Sequence, residues 1–224
     1  MSAAPLRHEL LRRAGVEHGF GVRSTPAPAG VRRPRQVHGV RIVTAADCAG
    51  TTPPDADGVV SVVYGVPVGV VTADCLPVLL AAENGSAVAA VHAGWRGLAG
   101  GVIEAGVDAL RHATGNGIRI VGVVGPHIGS CCYEVDAPVL DALDARYSGA
   151  LSGATRETRP GHALLDLGEL ARGALGACGI EAGAFPGTCT RCDAELFHSY
   201  RRDGPRAGRL LHHIAAGDEA ARQA

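Results

Sequence analysis

The sequence predicts an α/β fold, and three observations carry that prediction. Short β-branched runs bounded by glycine and proline fill residues 59–92. A helical period of apolar residues follows at Val102, Ile103, Gly106, Val107 and Leu110. Strand-like and helix-like segments then alternate as far as Cys178.

Each element has a local reason. Residues 24–34 are rich in proline and read as a loop. Val59–Val63 and Val66–Val71 are continuous apolar runs, the signature of buried strands. Leu76–Ala81 resumes that pattern after a break at Asp74–Cys75, Asn84–Gly85 reads as a hairpin turn, and Ala87–His92 returns as a strand. The helix expected from Leu98 to His112 stops near Gly115, a residue type suited to helix ends. Ile118–Val124 reads as a strand, and Val135–Tyr147 and Leu167–Cys178 read as helices. No linker of convincing length divides the chain, so residues 1–224 are expected to form one domain.

Composition removes several function classes. Apolar residues make up 46% of the 224, enough for a packed core, while aromatics are only 4%, so aliphatic side chains must build it. Every basic residue is arginine. A Schiff-base lysine and a P-loop lysine are therefore both excluded. The formal charge of -1 offers no polyanion-wrapping surface, so nucleic acid is not an expected partner. The apolar stretch from Val59 to Ala82 is long enough to suggest a membrane span, but Gly65, Pro67, Gly69, Asp74 and Pro77 interrupt it, and no membrane association is expected. Seven cysteines without a secretory leader point to a reducing compartment, hence a cytoplasmic location, where cysteine more often serves metal or catalysis than disulfides.

Three segments look built for something other than packing: Gln36-Val37-His38-Gly39, Thr72-Ala73-Asp74-Cys75-Leu76-Pro77 and Val91-His92-Ala93-Gly94-Trp95-Arg96-Gly97. Each sets a ligand-type side chain at a strand end beside small residues. His38, Cys75 and His92 together make a borderline-soft N/S donor set that suits Zn²⁺. Three protein ligands leave a fourth position open, which is the catalytic pattern.

These segments resemble the laccase-domain, or multicopper polyphenol oxidase, family, also known as the YfiH or peptidoglycan editing factor family, which includes purine nucleoside phosphorylases. The resemblance extends through Glu17-His18-Gly19-Phe20, Asp55-Ala56-Asp57-Gly58, Gly125-Pro126-His127-Ile128-Gly129, Cys132-Tyr133-Glu134-Val135 and Ser199-Tyr200-Arg201-Arg202-Asp203-Gly204, in order along nearly the whole chain. It implies that His38, Cys75 and His92 are zinc ligands. It also implies a layered α/β/β/α sandwich with mixed sheets, related to cytotoxic-necrotizing-factor-like hydrolases. The implied chemistry is phosphorolysis of adenosine, inosine, guanosine and methylthioadenosine, with adenosine deamination beside it; the expected partners are purine nucleosides and phosphate. One stretch departs from the family. Val22-Arg23-Ser24-Thr25-Pro26 keeps the arginine of the family's Arg-x-Gly-Gly segment but loses the glycines and shortens a loop that walls the pocket in relatives.

Phosphorolysis needs a phosphate site, and arginine suits it because a planar fork donates two parallel hydrogen bonds. Arg23 and Arg96 are the candidates, with an ion pair from Arg96 to Asp57 or Asp74 as the structural alternative. Deamination needs a group to move protons, for which Asp74 and His127 are candidates; Asp74 could equally orient a liganding histidine. Cys75 counts as catalytic as well as ligating. Cys189-Thr190-Arg191-Cys192 is a lone Cys-x-x-Cys, expected to be structural or incidental, and adjacent Cys131 and Cys132 are expected to pack. Arg201-Arg202 reads as an ion-pair cluster, with shaping of the mouth of the site as the alternative, and His212-His213 as solvated. Three competing readings remain. One is a copper-dependent phenol oxidase, disfavoured because no His-x-His pair exists. The second is a Cys–His hydrolase with Cys75 as nucleophile and His92 as base. The third is a peptidoglycan editing factor.

Overall fold

The computed structural model describes residues 3–115 and 117–217. Its strands are β1 (Glu17–Phe20), β2 (Ile42–Thr44), β3 (Gly58–Ser61), β4 (Val68–Thr72), β5 (Leu76–Ala82), β6 (Val88–Ala93), β7 (Ile120–Val124), β8 (Glu134–Asp136), β9 (Thr155–Arg159), β10 (His162–Leu165), β11 (Glu181–Ala184) and β12 (Leu210–Ala215). The helices are α1 (Glu9–Arg13), α2 (Trp95–Gly100), α3 (Val102–Thr114), α4 (Ala137–Ala154), α5 (Leu167–Ala177) and α6 (Tyr200–Asp203). The strands form a six-stranded mixed sheet in the order β11-β7-β5-β6-β3-β2 and two three-stranded sheets, β1-β12-β4 and β8-β10-β9.

The large sheet is buried on both faces, which explains the unbroken apolar runs of the sequence. On β5, Leu76, Val78, Leu80 and Ala82 join one core with Ile103, Val107 and Leu110 of α3 and Leu170 and Leu175 of α5. Leu79 and Ala81 point the other way, into a second core with Val68 and Val70 of β4, Ile214 of β12 and Leu10 and Leu11 of α1. This alternation follows from the two-residue period of a strand. Helices α3 and α5 therefore cover one face of the large sheet, and the β1-β12-β4 sheet together with the short α1 covers the other, a layered α/β arrangement. Full burial of each Leu or Val contributes about 1.5–3 kcal/mol, so the two faces of β5 are the energetic centre of the fold.

Several boundaries differ from expectation. The helical stretch beginning at Leu98 is two helices, α2 and α3, broken at Gly101 (φ 91°), a left-handed residue that ends one helix and opens the next. α4 runs past Tyr147, whose φ/ψ of −119°/34° kinks it. His212 and His213 are not solvated: both are buried, on β12, which lies between β1 and β4. Their position in a strand central to its sheet takes them into the interior, and proximity in sequence to the chain end says nothing of that. Among the described residues no helix is long and apolar enough to cross a membrane.

Candidate active site

Antiparallel pairing brings the site together. β5 and β6 pair in the register Leu76↔Ala93 and Pro77↔His92, so Cys75, one residue before β5, sits beside His92 near the end of β6. β3 pairs on the other side of β6 with Gly58 opposite Val91, which sets Asp57 next to His92; the His92 N–H donates to the Asp57 carbonyl at 2.7 Å. The loop before β2 delivers His38. The ligand atoms of His38, Cys75 and His92 all lie within 4.8 Å of one another. The His38 and His92 rings meet edge to face, 4.8 Å between centroids and 84° between planes. Burial grades from exposed His38 through half-buried Cys75 to buried His92.

Asp57 organises this triad. Its carboxylate is fully buried and accepts hydrogen bonds from the backbone N–H groups of Val37 (3.2 Å), His38 (2.9 Å) and Gly39 (2.6 Å). His38 is held at φ 61°, a left-handed conformation that a non-glycine residue adopts only with support, and the three converging bonds provide it. Oδ1 also lies 2.8 Å from His92 Nδ1. That contact leaves Nε2 of His92 for the cavity side and fixes the ring's orientation, the arrangement usual behind ligating imidazoles.

The electrostatics follow from these contacts. Burial opposes ionisation of Cys75, but hydrogen bonding to His38 and His92 outweighs it and lowers the thiol to about 6. Burial likewise opposes a charge on His92, yet Asp57 and Cys75 raise it to about 9. Without a metal the pair is thus a thiolate beside an imidazolium. The same thiolate with two imidazoles is a donor set that fits zinc, and Gly94 leaves room for it: a Cβ there would lie 3.1 Å from His38 Cδ2 and 3.3 Å from Cys75 Sγ.

The triad opens into a cavity of about 610 Å³. Trp95, Ile128, Tyr133 and Leu167 give it apolar and aromatic walls, and Arg96, Arg201 and Arg209 line it with positive charge. The Arg96 guanidinium stacks over Trp95 at 4.4 Å and that of Arg201 over Tyr133 at 5.0 Å. Gln36 clamps the rim by bonding both the N–H and the carbonyl of Val71 at 2.8 Å. Burial, followed by the nearby Cys75 charge, pushes the Tyr133 phenol up to about 12, so it faces the cavity as a neutral donor.

The residues singled out from the sequence divide accordingly. His38, Cys75, His92, Asp74 and Arg96 all line the cavity. Arg96 forms no ion pair with Asp57 or Asp74 among the described residues. Asp74, at φ 92°, does not orient a histidine; Asp57 does. Both oxygens of Asp74 are engaged elsewhere, Oδ1 with Thr190 Oγ1 at 2.6 Å, Oδ2 with Ser199 Oγ at 3.1 Å and the Arg201 N–H at 2.6 Å. Arg23 and His127 are not among the cavity-lining residues. Arg23 Nη1 donates to the Ala194 carbonyl at 3.1 Å; the His127 ring lies against Gly168, with Nδ1 2.8 Å from the Gly125 carbonyl oxygen. Sequence reasoning missed Asp57 as the histidine's partner and Arg209 as a cavity residue; it gave Arg201 a place at the mouth of the site only as an alternative, and the Tyr-Glu-Val segment only hinted that Tyr133 lies near the pocket. Arg202, by contrast, is structural, pairing with Asp203 at 2.9 Å and bonding the Thr190, Arg191 and Phe197 carbonyls.

Known proteins share this architecture. The chain is 43% identical over 175 residues to "Purine nucleoside phosphorylase PA4543" of Pseudomonas aeruginosa, covering 78% of this chain and 69% of that one. It is 33% identical over 157 residues to "Adenosine deaminase RL5" of an unknown prokaryotic organism, covering 69% and 60%. The crystal structure of YlmD from Geobacillus stearothermophilus superimposes with a TM-score of 0.84 at 28% identity, over 97% of this chain and 98% of that one. The family model described as multi-copper polyphenol oxidoreductase laccase matches residues 20–217, and with the triad, the cavity and these relatives the conclusion is that the chain belongs to that family.

Proposed function

We propose that this protein is a zinc-containing purine nucleoside phosphorylase, acting on adenosine, inosine, guanosine and methylthioadenosine, with adenosine deamination as a second activity. The observation that carries the reading is the combination of a His2Cys triad, aromatic walls and three arginines in one cavity of about 610 Å³, a volume within the range of small-ligand pockets. Relatives named as purine nucleoside phosphorylase and as adenosine deaminase support it. A single domain and a reducing, cytoplasmic setting are part of the same proposal; all seven cysteines are free.

In phosphorolysis a phosphate oxygen bonds to the ribosyl anomeric carbon. The carbon–nitrogen bond breaks, and the purine leaves with the electron pair and takes up a proton. Arg96, Arg201 and Arg209 are suited to hold phosphate, because their forks donate paired hydrogen bonds and do not lose their charge. Trp95 and Tyr133 offer faces for the purine, and the Tyr133 hydroxyl can donate to it. Asp74 acts as a positioning residue through Thr190, Ser199 and Arg201. Bound through His38, Cys75 and His92, zinc would supply Lewis acidity at the cavity floor. The copper-oxidase reading is weaker: among the described residues, metal-binding groups of three or more number two, and only one of them contains histidine. Incubation of metal-quantified protein with each nucleoside, with and without phosphate, tests the proposal. Phosphate-dependent release of free base, with zinc at the triad, is expected; no turnover of any nucleoside would overturn it and favour the Cys–His hydrolase or peptidoglycan editing readings.

A further inference from the structure

We propose that Cys131, Cys132, Cys189 and Cys192 form a second metal site, a closed four-thiolate zinc site that clips two turns of the cavity wall together. The chain brings an adjacent cysteine pair and a Cys-x-x-Cys from distant segments to one point. All four sulfurs lie within 4.8 Å of one another. Cys131 and Cys132 are 3.7 Å apart, Cys131 and Cys192 3.7 Å, and Cys132 and Cys192 3.3 Å. Four thiolates about 2.3 Å from a zinc ion define a tetrahedron with edges of about 3.8 Å, so these separations need little adjustment.

The surroundings are those of thiolate ligands. The Gly129 N–H donates to Cys189 Sγ at 3.3 Å, and Arg191 Nη1 donates to Cys132 Sγ at 3.4 Å. Such bonds stabilise negative sulfur and orient it. Four thiolates on a dication leave a net charge of −2, which Arg191 partly offsets. Both turns are braced by backbone bonds, Cys132 N–H to the Gly129 carbonyl at 2.9 Å and Asp193 N–H to the Cys189 carbonyl at 3.1 Å. Four protein ligands leave no open position, which makes this a structural site. Its place explains its use. Tyr133, next to Cys132, lines the cavity, and Thr190, next to Cys189, holds Asp74. A metal between the two turns would fix the distance between Tyr133 in the cavity wall and the Thr190 that holds Asp74.

The site shares no ligand with the His38–Cys75–His92 triad, so either can fail without the other. Metal analysis of protein purified under reducing conditions tests it. Wild type is expected to carry two zinc equivalents, and the Cys131→Ser/Cys192→Ser variant one. Cys75→Ser is expected to lose the other equivalent and, reconstituted with cobalt, to show the intense sulfur-to-metal charge-transfer bands of a four-thiolate ion. In wild type, these four cysteines should resist alkylation until a chelator is added, a readout that needs no variant to fold. One equivalent unaffected by the double substitution would overturn the site. So would ready alkylation without chelator, or a Cys132–Cys192 disulfide in the reduced-purified protein. Iron in place of zinc would overturn the identity of the ion.

Discussion

Asp57 Oδ1 stands 2.8 Å from His92 Nδ1, and the same oxygen accepts the N–H of His38 at 2.9 Å. One buried carboxylate thus sets the ring of one histidine of the triad and the backbone of the other. Asn at this position keeps the shape but offers one accepting oxygen in place of two. Asp57→Asn is expected to weaken zinc binding by about 10- to 100-fold. Competition against a chromophoric chelator measures it; an unchanged affinity would show that Asp57 serves the fold alone.

Gly94 opens α2 with ordinary φ/ψ of −77°/170°, so alanine there carries no conformational penalty. Its Cβ would instead press on His38 Cδ2 and Cys75 Sγ. Gly94→Ala should therefore reduce zinc affinity by about tenfold or more, with little change in the melting temperature of the metal-free protein. Equal losses in both would point to a packing role.

Asp74 ties the 190–201 segment to the end of β4 through three accepted hydrogen bonds. Asp74→Ala strands those donors, and stability should fall by about 3 kcal/mol; Thr190→Val removes a single partner and should cost about 1 kcal/mol. Urea denaturation ranks the two, and the reverse order would refute the assignment of Asp74 as the anchor.

Arg201 lies over Tyr133 in the cavity wall, and its Nη1 donates to the Glu134 carbonyl at 3.0 Å. Arg201→Gln removes the charge with a modest change in size. The KM for phosphate should rise about tenfold or more, while the nucleoside KM moves little. An effect confined to the nucleoside would reassign Arg201 to base recognition.

Burial holds His212 at about 3, with Nε2 2.9 Å from Thr72 Oγ1 and Nδ1 without a partner among the described residues. Above its ordinary value of about 6.5 the residue is neutral folded and unfolded, and stability does not depend on it. As the pH falls from about 6.5 towards 3, the unfolded chain takes up a proton that the folded chain refuses. Stability should then fall by at most about 1.4 kcal/mol per pH unit on this account. His212→Gln should flatten the acid limb of a plot of unfolding free energy against pH by up to one proton. An unchanged slope would mean that other buried groups, such as His18 and His213, dominate it.

The cavity residues nominated from sequence were those whose neighbours in the chain already betrayed them. His92 closes an apolar run and Cys75 stands just before one, a pattern visible along the chain, while His38 sits beside Gly39 in a short polar segment. Asp57 carried no such mark, since what a carboxylate faces depends on which strand pairs beside it. Arg23 and His127 sat in segments of the right kind, yet one bonds a loop carbonyl and the other turns against α5. The two neighbours diverge: Ile128 lines the cavity, while the His127 ring lies against Gly168 of α5.

By itself the sequence determined the α/β class, the buried character of β3 to β6 and the residue types able to hold zinc, because periodicity and donor chemistry are local properties. The tertiary structure alone decided that Asp57 backs His92, that Arg201 and Arg209 rather than Arg23 line the cavity, that His212 is buried, and that four cysteines from two turns meet. Each of these depends on strand register and on contacts between segments far apart in the chain, where a shift of one residue would turn every side chain to the opposite face.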